Sequence, residues 1–109
     1  MSRSKQKGTS YETSLLPLLR AYYPGAERRA LSGAKDKGDY ILPGASYALE
    51  AKCVKAMALG SWVDEAQVEA ANLGVRHGVV VHKRRGKTAP EEQFVTLRLI
   101  DFLEIVTGK

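Results

Sequence analysis

The chain has 109 residues, of which 44% are hydrophobic and 27% charged, and its formal net charge is +5. This length and composition predict a single folded domain over residues 1–109 and exclude a generally disordered polypeptide. A single cysteine, Cys53, excludes an intramolecular disulfide and a cysteine-based zinc site. Since no apolar run is long enough to cross a bilayer and no signal-peptide pattern occurs, we expect a cytoplasmic protein without a membrane partner.

The N-terminal part of the chain predicts a helix preceded by an arm. Residues 1–7 lack apolar periodicity and are interpreted as a mobile basic N-terminal arm. Leucine and tyrosine side chains then recur at helical spacing up to Tyr22. Pro17 leaves the start of this helix open, because proline is tolerated in a first turn but costs about 3 kcal/mol in a helix interior. The helix either begins near Ser14, which leaves Glu12 outside it, or begins earlier and kinks.

Three strands are expected in the middle of the chain. They cover residues 26–31, 39–42 and 47–54, and a polar, glycine-bounded turn over residues 32–38 separates the first two. The Pro43-Gly44 pair is typical of a hairpin connection between the second and third strands. Because side chains alternate along a strand, the third strand points Glu50 and Lys52 to one face and its apolar residues to the other, toward a core.

The C-terminal half predicts a helix, two strands and a final helix. The first of these helices begins at Ser61 as its N-cap and ends at Gly74. Its apolar face is formed by Trp62, Ala66, Ala70 and Leu73. The apolar run over residues 77–82 predicts a buried strand, and residues 93–97 and 100–106 predict a further strand and a short helix. This order indicates an α/β fold in which helices flank a mixed central β-sheet.

Two acids and a lysine suggest chemistry on a phosphodiester. A nuclease uses a divalent metal to neutralise phosphate charge and to generate hydroxide near neutral pH. One or two carboxylates on rigid strands are sufficient for Mg²⁺. Asp39 and Glu50 converge if their strands pair, and Lys52 would orient an attacking water or stabilise charge on the phosphoryl oxygens. The structural alternatives are a cross-strand charge pair for Glu50 and Lys52, and a turn acid for Asp39.

The order of these residues along the chain resembles the PD-(D/E)xK nuclease superfamily. Within it, the chain is most similar to archaeal-type Holliday junction resolvases and to the resolvase-like endonucleases of phages. The similarity covers roughly residues 7–85 and is carried by Lys7-Gly8, Glu12, Arg28-Arg29, Ser32-Gly33, Gly38-Asp39, Glu50-Ala51-Lys52 and Gln67. Gly38 stands where the superfamily often has proline. The resemblance implies a restriction-endonuclease-like core around the mixed sheet.

The resemblance also implies a role for individual residues. The catalytic residues would be Glu12, Asp39, Glu50, Lys52 and Gln67. Asp39 and Glu50 would bind Mg²⁺ or Mn²⁺ with help from the Ala51 carbonyl, and Lys52 would be the catalytic lysine. Glu12 would be an acid contributed by the first helix. Gln67 would be a supporting residue on the second helix, for which the structural alternative is a plain surface amide.

Basic residues are concentrated in two parts of the chain, which suits a polyanionic partner. One cluster lies within residues 1–37, and the other is a turn over residues 83–87. The residues expected to contact DNA are Lys5, Lys7, Arg28, Arg29, Ser32, Lys35, Lys37, Lys55, Lys83, Arg84 and Arg85. The alternative for these charges is an ordinary solvated surface.

The sequence therefore predicts a Mg²⁺-dependent DNA endonuclease that acts on branched DNA, with the Holliday junction as the expected substrate. One site can cut one strand at a time, so symmetric resolution predicts a homodimer with two-fold symmetry. Three alternatives stay open: a nicking or repair endonuclease of the same fold on linear or damaged duplex, a non-catalytic basic DNA-binding module, and a basic domain that binds a protein partner. If the chain is encoded by a phage, its cytoplasmic location would be in the host.

Overall fold

The computed structural model describes residues 3–30 and 36–109. Its elements in chain order are α1 (Arg3–Tyr22), β1 (Glu27–Arg28), β2 (Tyr40–Ile41), β3 (Tyr47–Lys52), α2 (Leu59–Leu73), β4 (His77–His82), β5 (Phe94–Thr96) and α3 (Leu99–Thr107), with a short 3₁₀ helix (Pro90–Glu92) before β5. This α/β order is the predicted one. Within the described residues, no helix combines the length and the apolar character that crossing a membrane requires.

The larger sheet has the strand order β3-β4-β5 and is mixed, as predicted. Strands β3 and β4 run parallel, with Glu50 opposite Val80, and α2 forms the crossover between them. Strand β5 runs antiparallel to β4, with Val95 opposite Val81. The parallel pair brings the carboxyl ends of β3 and β4 to the same edge, which is where ligand sites form in such sheets.

Helices cover both faces of this sheet. On one face, Leu49 packs in a buried cluster with Val79, Val81 and Tyr11 of α1. On the other face, Val80 packs against an apolar group on α2 formed by Trp62, Val63 and Ala66. Glu50 is opposite Val80 in the register, so β3 directs this acid toward the α2 side.

The two short strands form a separate sheet, which differs from the expected hairpin. Strand β2 pairs antiparallel with β1, with Tyr40 opposite Arg28, and does not form a ladder with β3. The link to β3 is a backbone hydrogen bond of 3.0 Å from the Asp39 N–H to the Leu49 carbonyl. The prediction of a β2–β3 hairpin is therefore wrong: β2 forms its ladder with β1, and among the described residues the backbone joins it to β3 only through the bond at Asp39.

Helix α1 begins at Arg3 and continues through Pro17, so the earlier of the two predicted starts is correct. The backbone of residues 3–7 of the expected arm belongs to this helix, and residues 1 and 2 lie outside the described residues. Glu12 accordingly lies on a helix. The Tyr40 hydroxyl donates a hydrogen bond of 2.6 Å to the Glu12 carbonyl, which ties α1 to β2.

Helix α2 begins earlier than predicted and ends where predicted. Its N-cap is Ala58 and not Ser61, whose hydroxyl donates to the Ala58 carbonyl at 3.1 Å within the first turn. Gly74 closes the helix with φ +85°, a left-handed conformation that glycine adopts without steric cost. A side chain at Gly78 of β4 would overlap the Ala66 carbonyl, so this glycine allows α2 to pack directly on the strand.

Candidate active site

The turn before β2 places Asp39 beside β3. Gly38 has φ +95°, and its N–H donates to the Asp36 carboxylate at 2.9 Å. A Cβ at Gly38 would lie 3.1 Å from the Leu49 carbonyl, so both its conformation and its surroundings favour glycine. One Asp39 carboxylate oxygen then accepts the Ala51 N–H at 2.7 Å. Asp39 is thereby held next to Glu50, although β2 and β3 do not form the ladder on which the expected convergence depended.

Glu50 is a buried acid with an incomplete set of hydrogen bonds. Its side chain is only 7% exposed, and its Oε2 has no hydrogen-bond partner among the described residues. Burial, the neighbouring Glu69 carboxyl group and the charge of Asp39 raise the pKa of Glu50 far above its ordinary value. An ionised carboxylate in such a place requires a cationic or hydrogen-bonding partner.

Two further acids, which the sequence analysis did not single out, complete a carboxylate cluster of Asp36, Asp39, Glu50 and Glu69. The carboxylate oxygens of Asp36, Glu50 and Glu69 lie within 4.8 Å of one another. Glu69 of α2 is buried, and its Oε2 also lacks a partner among the residues described. Burial raises the pKa of Glu69; the neighbouring Glu50 carboxyl group acts in the opposite direction, but the charges of Asp36 and Asp39 add to the effect of burial and the pKa is about 7. The Asn72 amide of α2 donates a hydrogen bond of 2.8 Å to the Asp36 backbone carbonyl and so holds Asp36 near α2.

Glu12 of α1 borders this cluster. Burial, followed by the negative charge of Asp39, raises the pKa of Glu12 to about 7. The Arg28 guanidinium lies 3.8 Å from the Glu12 carboxylate and acts in the opposite direction, toward a lower pKa. The structure thus places Glu12 with the predicted acids and places one predicted DNA-contacting arginine beside it.

Lys52 lies two residues after Glu50, and its ammonium group pairs with Glu65 of α2 at 2.9 Å. Burial lowers the pKa of Lys52, but the hydrogen bond to Glu65 and the charges of Glu50 and Glu65 outweigh it, so this pKa stays above its ordinary value. Lys52 is therefore an ammonium ion at neutral pH. It can stabilise negative charge, but it cannot act as a base.

Gln67 points away from the carboxylate cluster. Its amide donates to Asp101 at 3.0 Å and to the Gly78 carbonyl at 3.3 Å. Glu69, two positions further along α2, occupies the place expected for a helix residue beside Glu50. The signal for Glu69 was present in the sequence, because Trp62 and Glu69 are seven residues apart and share one helix face.

A basic groove opens at the carboxyl ends of β3 and β4, with a volume of about 810 Å³. Its lining includes Lys55, Lys83, Arg84, Arg85, His82 and Phe94. The Arg84 guanidinium lies over the Phe94 ring, 4.8 Å from its centroid. The Lys83 N–H donates to the Lys52 carbonyl at 3.0 Å, so the groove begins next to the lysine of the candidate site.

The remaining residues predicted to contact DNA differ in their surroundings. Lys37 is exposed. Arg29 is half-buried, and its guanidinium donates to the Tyr40 carbonyl at 3.5 Å, which makes it less accessible than Arg28. Ser32 and Lys35 lie outside the described residues, as do the side chains of Lys5 and Lys7.

A second group of possible metal ligands, His77, Asp101 and Glu104, is a structural contact. Asp101 is 1% exposed and accepts hydrogen bonds from Arg98 at 2.8 and 3.1 Å and from Gln67. His77 Nδ1 lies 2.9 Å from the same carboxylate. Because donors already surround Asp101, this group has, within the part of the chain that the structure describes, none of the buried unpartnered oxygens that distinguish the carboxylate cluster.

Divalent-cation binding fits the carboxylate cluster. Hard cations prefer carboxylate oxygens, and two such oxygens here are buried without a partner in the described part of the chain. No protein-family model matches the chain, and no curated protein or solved structure matches it either.

Proposed function

We propose that this chain is a metal-dependent DNA endonuclease with a restriction-endonuclease-like core, and that it hydrolyses phosphodiester bonds in branched DNA such as Holliday junctions. The observation that supports the proposal most directly is the pair of buried, unpartnered carboxylate oxygens of Glu50 and Glu69 close to the Lys52 ammonium group. A cytoplasmic setting, in the host if the chain is encoded by a phage, would supply both DNA and Mg²⁺.

The carboxylate cluster would hold the metal ion, Mg²⁺ or Mn²⁺. Glu50, Glu69 and Asp36 offer the oxygens that lie within 4.8 Å of one another, and Asp39 adds negative charge beside them. When bound, the ion would supply charge neutralisation at the phosphate and a more acidic water molecule. The predicted ligand set of Asp39, Glu50 and Ala51 is extended in this proposal by Asp36 and Glu69.

The protein's own groups would contribute charge and proton transfer. Lys52 would stabilise the negative charge that develops on the phosphoryl oxygens, with Glu65 fixing the position of its ammonium group. Glu12 and Glu69 both have pKa values near 7, so either carboxyl group can exchange a proton at neutral pH. Glu12 lies on α1 and Glu69 on α2, and both carboxyl groups interact with Asp39.

The groove beside Lys52 would receive the DNA backbone. Its lysines and arginines give it a positive charge, and backbone phosphates are the part of DNA that such residues contact most often. The preference for branched DNA rests on the resemblance of the motif order to the resolvases. Paired cuts at a junction would require two copies of the site, and hence a homodimer.

The experiment compares the original chain with a Glu50→Gln variant on a four-way junction and on its separate linear arms, with and without Mg²⁺ or Mn²⁺. We expect the original chain to cleave the junction only when the metal is present. Glu50→Gln keeps the side-chain shape, so we expect at least ~100-fold slower cleavage with DNA binding retained. Glu91→Gln, at an exposed acid outside the cluster, is the matched control and should cleave normally.

The outcomes separate the alternatives. Equal cleavage of the junction and its linear arms would replace the resolvase proposal with a nicking or repair endonuclease. Salt-dependent binding without cleavage, unchanged by Glu50→Gln, would leave a non-catalytic DNA-binding module. Absence of DNA binding in low salt would favour a basic domain with a protein partner.

A further inference from the structure

In helix α3 the buried side is polar and the exposed side is apolar, which is the reverse of the usual arrangement. Its buried residue is an acid, Asp101, which is 1% exposed. Six large apolar side chains of the same helix are at least 37% exposed, namely Leu99, Ile100, Phe102, Leu103, Ile105 and Val106. A helix in a globular domain normally buries its apolar side and exposes its polar side. The apolar side of α3 therefore faces away from the rest of the described chain.

Polar contacts fix α3 in this orientation. Asp101 is bound by Arg98, Gln67 and His77, and the Glu104 carboxylate pairs with Arg76 at 2.8 Å. Asp101 and Glu104 are three residues apart and so lie on one face of the helix. Rotating α3 to bury its apolar side would break this buried network, which makes the exposure of the other face a fixed feature of the fold.

The exposed side forms a continuous stripe. Leu99, Phe102, Leu103 and Val106 follow the i, i+3, i+4, i+7 spacing of one helix face. The four positions carry no charge, although the chain as a whole has a net charge of +5. We call these four residues the α3 stripe.

We propose that the α3 stripe packs against the α3 stripe of a second copy of this chain, about a two-fold axis. From the exposed fractions, the α3 stripe offers roughly 450 Å², and Ile100 and Ile105 on its flanks bring the total to roughly 600 Å², about three quarters of the roughly 800 Å² that each partner buries in a standard interface. Two identical helices that cross antiparallel satisfy two-fold symmetry, since a residue at one end of the stripe then meets a residue at the other end of the partner's stripe and the reverse contact is equivalent. Phe102 and Leu103, in the middle of the stripe, lie nearest the axis and meet their own counterparts. An uncharged stripe also allows two basic chains to meet without bringing like charges together.

This interface does not depend on the nuclease proposal, although it would provide the two sites that symmetric cleavage needs. The test is therefore made without DNA. Sedimentation equilibrium of the full chain should give about twice the monomer mass of 11.9 kDa. Phe102→Lys should raise the dissociation constant by at least ~100-fold, because a central aromatic is lost from both partners and two ammonium groups are brought together. Val68→Lys, at an exposed apolar residue of α2, is the matched control and should leave the dimer unchanged.

A second measurement covers a Phe102→Lys protein that fails to fold. Leu103→Cys in a Cys53→Ser background should form an intermolecular disulfide under mild oxidation, whereas Val68→Cys in the same background should stay monomeric on a non-reducing gel. A monomer at about 100 µM, a concentration at which even a dimer of micromolar affinity is mostly associated, would overturn the proposal. So would a dimer that Phe102→Lys weakens no more than the Val68 control does. Cleavage assays report separately on the carboxylate cluster, so the two proposals can fail independently.

Discussion

Substitution of Glu69 by glutamine should stabilise the metal-free protein while weakening its response to divalent cations. Glu69 is buried, lies within 4.8 Å of two other carboxylates and has one unpartnered oxygen in the described part of the chain. Its ionised form is therefore unfavourable in the fold. Glutamine has the same shape without the charge, and its amide group can donate a hydrogen bond to the unpartnered oxygen of Glu50.

The size of this effect follows from the pKa. Burial and neighbouring charges raise the pKa of Glu69 from 4.5 to about 7 in the folded chain. A raised acid pKa means that the folded state holds the proton more tightly, so stability is lost as the pH rises from 4.5 through about 7. With both states ionised at about pH 8, the penalty is roughly 3 kcal/mol, of which we expect Glu69→Gln to recover about 2 kcal/mol. For a domain of this size that corresponds to a Tm increase of about 10 °C.

The assay is thermal unfolding in EDTA and in Mn²⁺, at about pH 5 and at about pH 8. In the folded chain Glu69 is mostly protonated at the first pH and mostly ionised at the second. In EDTA, the higher Tm of Glu69→Gln should be seen at about pH 8 and nearly disappear at about pH 5, because Glu69 is protonated in the fold at the lower pH. In Mn²⁺, the Tm of the original chain should rise and that of Glu69→Gln should rise less. Glu91→Gln should change neither value. A Glu69→Gln protein less stable than the original chain in EDTA at about pH 8 would refute this reasoning.

Three further substitutions test the packing of α2 on β4 and the polar contacts of Asp101. Gly78→Ala should lower the free energy of unfolding by about 3 kcal/mol in urea, because its methyl group would overlap the Ala66 carbonyl. Gly60→Ala, with open space around it on α2, should stabilise by up to about 1 kcal/mol, and equal effects at the two glycines would contradict the close approach of α2 to β4. Asp101→Asn should destabilise the chain by about 2 kcal/mol at neutral pH. The hydrogen bonds of Arg98 lower the pKa of Asp101, so this difference should shrink as the pH falls through that pKa, and a difference that is independent of pH would argue against an ionised Asp101.

The parts of the fold that local pattern determines could be predicted from the sequence. The apolar run of β4 and the terminal Gly74 of α2 were located correctly, because each depends on residues next to one another in the chain. The hairpin predicted between β2 and β3 was wrong, because Pro43-Gly44 permits a turn but does not decide which strand β2 pairs with. Ser61 was misassigned as an N-cap, since its hydroxyl donates to a backbone carbonyl.

The candidate site was predictable where alternation along one strand defined it. Glu50 and Lys52 followed from that alternation, and the structure holds Asp39, which the sequence analysis had also named, beside them through the Ala51 N–H. On α2 the sequence analysis named Gln67, whereas the structure places Glu69 beside Glu50. Positions 67 and 69 differ by about 200° around a helix, so the choice of one excluded the other. Asp36 depends on the left-handed turn at Gly38 and on the bond from Asn72, and neither contact has a sequence pattern of its own.

The carboxylate cluster draws its members from stretches of chain that are far apart, since residues 36–39, 50 and 69 meet only when β3, α2 and the preceding turn are assembled. Repulsion among these acids is consequently weak in partly organised chains and strong only in the finished fold. Repulsion that is strong only in the finished fold raises the unfolding rate more than it lowers the folding rate. The lifetime of the folded chain is thus the property that a divalent ion bound among these acids would extend.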